Sequence, residues 1–189
     1  TQGLAYEILD VEGAKEKGVV IAFDSRNNSE LFANECARVL CANGIKTYIF
    51  DALRPTPELS FAVRYLGCAR GVVITASHNP KEYNGYKAYG PDGGQLPPES
   101  ADYVASIIGK IDTFAGVKVM DEAEAKEKGL IEIVGSRVDS VYYENVLKQS
   151  INSEAVSSLG DDFKVIYSPF HGTGNKPVRE ILKRIGCKN

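Results

Sequence analysis

Residues 71–90 carry the chemistry of this chain: an apolar run, Gly71-Val-Val-Ile74, leads into Thr75-Ala-Ser77-His78-Asn79-Pro80, and Lys87 follows an Asn84-Gly85 reversal. A hydroxyl, an imidazole, an amide and an amine thus share one strand-end loop. A serine there suits two chemistries, acyl transfer and phosphoryl carriage. Acyl transfer in a hydrolase elbow wants Gly two residues to either side of the serine, where this chain has Thr75 and Asn79. His78 is next to Ser77 in sequence, an awkward position for a base hydrogen-bonded to it, and the other histidine, His171, is far along the chain. A phosphoryl carrier asks for an open loop, positive side chains, amide donors and usually a divalent cation. Lys87, Lys81 and Arg26 are the positive groups and Asn79 an extra donor. Each residue also has a plain reading: Ser77 as a hydrogen-bonding turn residue, Lys87 as a solvated strand residue, Arg26 as a surface charge flanking a helix. Residue type and spacing leave both readings open.

The elements that must position these groups alternate. Leu4 to Lys17 reads as one amphipathic helix ending at Gly18, and Val19-Val-Ile-Ala-Phe23 as a strand covered on both faces. Asp24 to Asn28 is the turn after it, Ser29 a cap for a helix that stops at Asn43-Gly44, and Ile45 to Phe50 a second strand. Thr56-Pro57 opens a helix to Leu66, and Gly71 to Thr75 is the third strand, so Arg26 and Ser77 share the carboxyl edge of the sheet. A hairpin around Asn84-Gly85 and Asp92-Gly93-Gly94 follows, then helices after Pro97-Pro98, over Asp121 to Lys128 and over Asp139 to Gln149. The expectation is a layered α/β/α domain with a mainly parallel mixed sheet over residues 1–150 and a linker over 151–162. Residues 163–189 would open a second, similar domain: strand Phe163 to Tyr167, loop Ser168 to Gly174, helix Pro177 to Ile185. His171-Gly-Thr-Gly174 lacks the third glycine of a dinucleotide fingerprint and the Gly-Lys-Ser/Thr of a phosphate loop, and reads as a structural strand-to-helix turn.

With 189 residues, 25% of them charged and a net charge of -3, the chain lacks the basic field that holds nucleic acid. No apolar run reaches the roughly 20 residues that cross a bilayer, and no signal segment opens the chain, so the expectation is a soluble, cytoplasmic protein with neither nucleic-acid nor membrane partners. Cys36, Cys41, Cys68 and Cys187 form no C-x-x-C pair and are expected as free thiols, mostly buried. The start without Met and the stop after Gly186 suggest a piece of a longer protein.

Five ordered motifs carry a resemblance: Thr75-Ala-Ser77-His78-Asn79-Pro80 with Asn84-Gly85-Tyr86-Lys87; Asp24-Ser25-Arg26; Arg54-Pro-Thr-Pro-Glu-Leu59; Asp92-Gly-Gly-Gln-Leu96; and His171-Gly-Thr-Gly-Asn-Lys-Pro177. Over nearly its whole length the chain resembles the α-D-phosphohexomutases, in the bacterial α-phosphoglucomutase branch that is also similar to phosphopentomutases. The resemblance implies a four-domain enzyme in which Ser77 is the phosphoserine and its phosphate a ligand of Mg²⁺. His78 and Lys87 would be acid/base and electrostatic groups, with Asn79 and Arg26 in support. It also implies conversion of glucose 1-phosphate to glucose 6-phosphate through a bisphosphate, with glucose 1,6-bisphosphate as activator and mannose or pentose phosphates as alternative substrates. The metal loop, sugar-selecting loop, phosphate-binding domain and the arginine-bearing segment usually preceding Leu4 are not in this sequence, and Asp161-Asp162 is no substitute for the metal loop. The chain alone is therefore expected to be inactive and to work with the remaining domains. A non-catalytic sugar-phosphate-binding module is the rival from another class, and a serine hydrolase a distant third.

Overall fold

The structure is a computed structural model that describes residues 1–160 and 163–187, without the side chains of Ser153 and Ser157. Its elements run α1 Gln2–Leu9, α2 Ala14–Lys17, β1 Val19–Phe23, α3 Ser29–Ala42, β2 Thr47–Ile49, α4 Thr56–Leu66, β3 Arg70–Ile74, β4 Tyr86–Tyr89, α5 Pro98–Ile108, α6 Glu122–Glu127, β5 Ile131–Ile133, α7 Ser136–Leu147, α8 Ser153–Ser157 and α9 Asn175–Arg184. They form two compact units, Thr1–Val134 and Gly135–Asn189. The division falls before α7, which the sequence reading had kept within residues 1–150.

In the first unit a five-stranded sheet has the order β4-β3-β1-β2-β5. β1 pairs in parallel with β2 and β3, β5 runs parallel to β2, and β4 lies antiparallel on the edge against β3. All five residues of β1 are buried, as its unbroken β-branched run requires of a central strand with both faces covered. Alternation along the strand sends Val19, Ile21 and Phe23 to one face, where they join Leu4, Ile8, Ala33, Ala37 and Leu40 of α1 and α3. The other face meets α4: Gly71, level with Val20, leaves room for the Val63 side chain, which would lie 2.5 Å from an added Cβ. Each fully buried aliphatic side chain of this core contributes roughly 1.5–3 kcal/mol of transfer free energy. Arg70, opening β3, holds α1 through a two-pronged ion pair with Glu7, both side chains largely buried.

The chain leaves β1 through α3 to β2 on one side, then returns through α4 to β3 on the other. The carboxyl ends of β1 and β3 thus flank the point where strand order reverses. In open α/β sheets that crevice is where ligands sit.

Several local expectations are corrected. The opening helix is two helices: α1 ends with its C-cap at Asp10, and Gly13, left-handed at φ 72°, is the N-cap of α2. Gly18 follows at φ 76°, where a Cβ would stand 2.2 Å from the Lys46 carbonyl oxygen, so no larger residue fits. β5 was not anticipated; three residues are too short to show a period. α4 is capped by Pro55, not Thr56.

In the second unit, α8 lies inside the stretch read as a linker, started by the Asn152 side chain accepting from the Ala155 amide. Residues 163–169, expected to include a strand, have no regular structure. Ile166 is 98% exposed, and a lone strand with no partner cannot satisfy its backbone. α9 packs on α7, and the Arg184 guanidinium lies over the Tyr143 ring at 5.3 Å. Asp161-Asp162 lies outside the described residues. No described helix is long and apolar enough to cross a membrane.

Cys36, Cys41, Cys68 and Cys187 are all free, the first three buried as expected. Burial pushes the Cys68 thiol up to about 12. Its proton is therefore held more tightly by the folded than by the unfolded chain across the window from an ordinary thiol value to about 12. The stability tied to that proton is complete below the unfolded-state value and falls as pH rises through the window, by about 1.4 kcal/mol per pH unit at most. Urea titrations from pH 8 to 11 should show this decline, and Cys68→Ala should flatten it; an unchanged slope in that variant would assign the decline to other groups.

Candidate active site

The loop after β3 begins at Thr75 and closes where the Thr75 amide donates to the Gly85 carbonyl at 3.0 Å. Gly85 is required at this closure, since a Cβ there would meet the Thr75 oxygen at 2.6 Å. Within the loop the Ser77 amide donates to Thr75 Oγ1 at 3.0 Å, the Asn79 amide to the Ala76 carbonyl at 3.1 Å, and the Tyr83 amide to the Pro80 carbonyl at 3.1 Å. Ser77 itself is left-handed at φ 57°, a conformation uncommon for a residue with a side chain and often found at functional positions.

This turn brings His78 Nδ1 to 3.2 Å from Ser77 Oγ. Adjacency, an awkward position for a base hydrogen-bonded to Ser77, does not prevent the contact: a left-handed turn lets these consecutive side chains meet. The acyl-transfer reading gains little from it. Thr75 and Asn79 still occupy the two glycine positions of the elbow, and His78 has no carboxylate partner among the described residues to orient it.

Ser77, His78, Asn79, Asn84, Gly85 and Lys87 all line an open cavity of about 430 Å³. Lys87 reaches this cavity from β4, where it stands level with Val73 of β3. It is half-buried and makes no hydrogen bond or ion pair with any described residue, so its ammonium is available to a ligand. Lys81 is exposed on the loop.

Arg26 behaves otherwise than as a cation waiting for a phosphate. Its Nη1 donates to the carbonyls of Pro80 at 2.8 Å and Tyr83 at 3.2 Å, and its Nη2 to those of Ser77 at 2.7 Å and Asn79 at 2.6 Å. Its Nε pairs with Asp24 Oδ2 at 3.2 Å. A guanidinium has five N–H donors; the four on Nη1 and Nη2 are committed to carbonyls here, and Nε lies in the ion pair with Asp24. Asp24, Ser29 and Asn84 complete the fabric, and sequence reasoning assigned none of them a role in the site. Ser29, expected as a helix cap, donates from Oγ to Asp24 Oδ1 at 2.7 Å, and Asn84 Nδ2 donates to Ser29 Oγ at 2.9 Å and to the Asn27 carbonyl at 3.1 Å. The available signal was Asp24 two residues before Arg26, the spacing of an Asx turn, and Asp24 Oδ1 does accept from the Arg26 amide at 3.0 Å.

The site is thus a strand-end hydroxyl at a topological switch point, with an imidazole against it, an unpaired lysine lining the same cavity and a loop held by the neighbouring strand end. The family model for phosphoglucomutase/phosphomannomutase, alpha/beta/alpha domain I, matches residues 1–115. The chain belongs to this family. A phosphoglucomutase from Staphylococcus haemolyticus (strain JCSC1435) is 37% identical over 191 residues, covering 99% of the chain and 33% of that relative. A Schizosaccharomyces pombe protein named "Probable phosphoribomutase" is 35% identical over 193 residues, covering 98% of the chain and 31% of that relative. The crystal structure of the exocytosis-sensitive phosphoprotein pp63/parafusin, a phosphoglucomutase from Paramecium, in its open form, superposes with a TM-score of 0.76 at 20% identity, covering all of the chain and 38% of that structure; this likeness concerns the fold. The chain spans about a third of the length of the curated relatives it matches. The layered α/β/α expectation for the first domain therefore holds.

In the second unit His171 lies in the loop before α9, where the Gly172 amide donates to the Pro169 carbonyl at 2.8 Å. Gly174 allows Tyr167 to approach: its hydroxyl would lie 2.1 Å from an added Cβ.

Proposed function

We propose that this chain supplies the phosphoryl-carrying part of a cytoplasmic phosphosugar mutase, an isomerase that converts glucose 1-phosphate to glucose 6-phosphate. The observation that carries the reading is Ser77 Oγ, exposed at the switch point with His78 Nδ1 at 3.2 Å and Lys87 on the same cavity, in a chain of this family. Ser77 carries the phosphoryl group. In the first half-reaction the bond from Ser77 Oγ to phosphorus breaks as a sugar hydroxyl oxygen bonds to that phosphorus; the sugar hydroxyl's proton passes to a base, and the departing Ser77 Oγ takes up a proton from an acid. The bisphosphorylated sugar then turns over, and its other phosphoryl group returns to Ser77. His78 and Lys87 act on the transferring oxygen as acid/base and electrostatic groups; Asn79 and Arg26 support the loop. The transition state spreads charge over the equatorial oxygens, so positioning and neutralisation carry most of the catalysis. Glucose 1,6-bisphosphate reloads Ser77 and so acts as activator.

The family implies Mg²⁺, an ion that takes oxygen donors. A phosphorylated Ser77 offers one such donor. No group of three or more His, Cys, Asp or Glu stands together among the described residues, so the described residues fit one ligand position rather than a whole cage. When bound, the ion supplies charge neutralisation at the transferring phosphoryl group.

The domain boundaries at residues 150 and 162, the work of the remaining domains and the inactivity of this chain by itself belong to the same proposal. Intact-mass measurement of the full-length protein after incubation with glucose 1,6-bisphosphate tests it. One added phosphate, mapped to Ser77, with turnover of glucose 1-phosphate above mannose and ribose phosphates is the expected result. Better turnover of mannose or ribose phosphate would reassign the substrate, phosphorylation without turnover of any sugar phosphate would favour a binding module, and no phosphate at all would sink the mutase reading.

A further inference from the structure

We infer that Asp24 is a positioning residue that, together with Arg26, clamps the Ser77 loop in its conformation, so that Arg26 acts as an organiser of backbone carbonyls and not as a counter-ion for the phosphoryl group. For its effect on turnover the inference rests on the mutase reading above; for its effect on the loop it stands without it.

Four carbonyls of the loop, those of Ser77, Asn79, Pro80 and Tyr83, converge on one guanidinium from a neighbouring strand end. Carbonyl oxygens repel one another at such close quarters, and only a cation with a planar array of donors holds several at once. The Arg26 side chain is 11% exposed and that of Asp24 16%, so both sit beneath the loop, away from water. Asp24 accepts from the Arg26 amide and the Ser29 hydroxyl, forms an ion pair with Arg26 Nε, and its own amide donates to the Ile74 carbonyl at 3.1 Å, where β3 ends. It therefore fixes the guanidinium in direction and ties the ends of β1 and β3 together. Through Ser29 it also reaches Asn84, at the far end of the same loop.

The charge of Arg26 argues the same way. Its partner Asp24 neutralises it, and the four N–H donors on Nη1 and Nη2 are already taken by carbonyls. The pair adds little net field at Ser77. What it adds is shape: the left-handed φ of 57° at Ser77, which turns Oγ to the cavity, sits in the segment whose carbonyls the clamp gathers.

A counter-ion and a clamp differ in how they tolerate lysine. Arg26→Lys keeps the positive charge but replaces a planar fork by three donors on one nitrogen. In the full-length protein, hydrogen exchange over residues 76–83 should accelerate at least about tenfold in both Arg26→Lys and Asp24→Asn, with the peptide covering β1 unchanged. The kcat should fall about 10- to 100-fold while KM for the sugar phosphate moves less than about threefold, the pattern of a misplaced group rather than a lost binding contact. Wild-type exchange and turnover in Arg26→Lys would show that charge alone suffices and overturn the clamp. A raised KM with unaltered loop exchange would make Arg26 a substrate ligand and overturn it equally. Should either variant fail to fold, Ser29→Ala removes one arm only and must still speed exchange at residues 76–85; unchanged exchange there rejects the proposal. A wild-type protein without mutase turnover would reject the functional reading, and loop exchange would still decide the clamp.

Discussion

Ser77→Ala in the full-length protein is expected to reduce mutase turnover by at least about 10³-fold, the scale on which enzymes lose activity with their covalent nucleophile. The same substitution should abolish the phosphate added by glucose 1,6-bisphosphate. Its effect on stability should be small, for two structural reasons. Ser77 Oγ hydrogen-bonds only with the His78 imidazole among the described residues, at an exposed position, so no buried group loses a hydrogen-bond partner. The backbone at φ 57° is as costly for alanine as for serine, since both carry a Cβ, and the clamp of carbonyls around Arg26 does not involve the side chain. A variant that unfolds, or one that retains turnover, would contradict the assignment: the first by making the hydroxyl structural, the second by placing the carrier elsewhere. Intact mass, turnover and melting temperature on one preparation distinguish these outcomes.

Lys87→Ala is expected to lower turnover by about 10²- to 10⁴-fold, the range for removing a group that moves a proton or stabilises charge at the reacting oxygen. Stability should change by less than about 1 kcal/mol. Lys87 is half-buried on an edge strand, and its ammonium has no described partner that its loss would strand. Such an arrangement is poor value as a structural element and suits a group kept for a ligand. Normal turnover with a large fall in melting temperature would show that Lys87 matters for packing β4 against β3 instead. Lys87→Arg, which keeps the charge at a different reach, should recover only part of the activity if the position of the ammonium matters as well as its sign.

These expectations differ from those for Asp24 and Arg26 in a way that can be measured. Ser77 and Lys87 should lose chemistry with the loop intact, whereas the clamp residues should lose loop order along with chemistry. Hydrogen exchange over residues 76–83 therefore separates groups that act on the phosphoryl group from groups that hold its platform.

Much of this architecture was legible in the residues. The run Val19 to Phe23 is apolar without interruption, and a strand of that kind has to be central, where helices cover both faces. Asn43-Gly44 stops its helix as read, with Gly44 in the left-handed conformation that glycine accepts at φ 74°, and α3 ends there. The Ser77 loop announced itself by type and spacing, and family resemblance pointed to phosphoryl transfer. These are local properties or patterns of one strand or helix, and local physics decides them.

What the sequence could not settle depended on partners distant along the chain. β5 is three residues whose identity as a strand comes only from pairing with β2. Residues 163–167 have the composition of a strand but no described partner in their unit, and they remain irregular. Arg26 reads as a spare cation until carbonyls more than 50 residues away are seen to converge on it. Asp24 and Asn84 read as turn residues and Ser29 as a helix cap until they are found bonded through Ser29. The sequence by itself determined which side chains could carry a phosphoryl group and which strand must lie at the centre. Only the tertiary structure decided which charge stays unpaired at the cavity, Lys87, and which is consumed in holding the loop's carbonyls, Arg26, because a hydrogen bond is counted between groups that folding alone brings within reach.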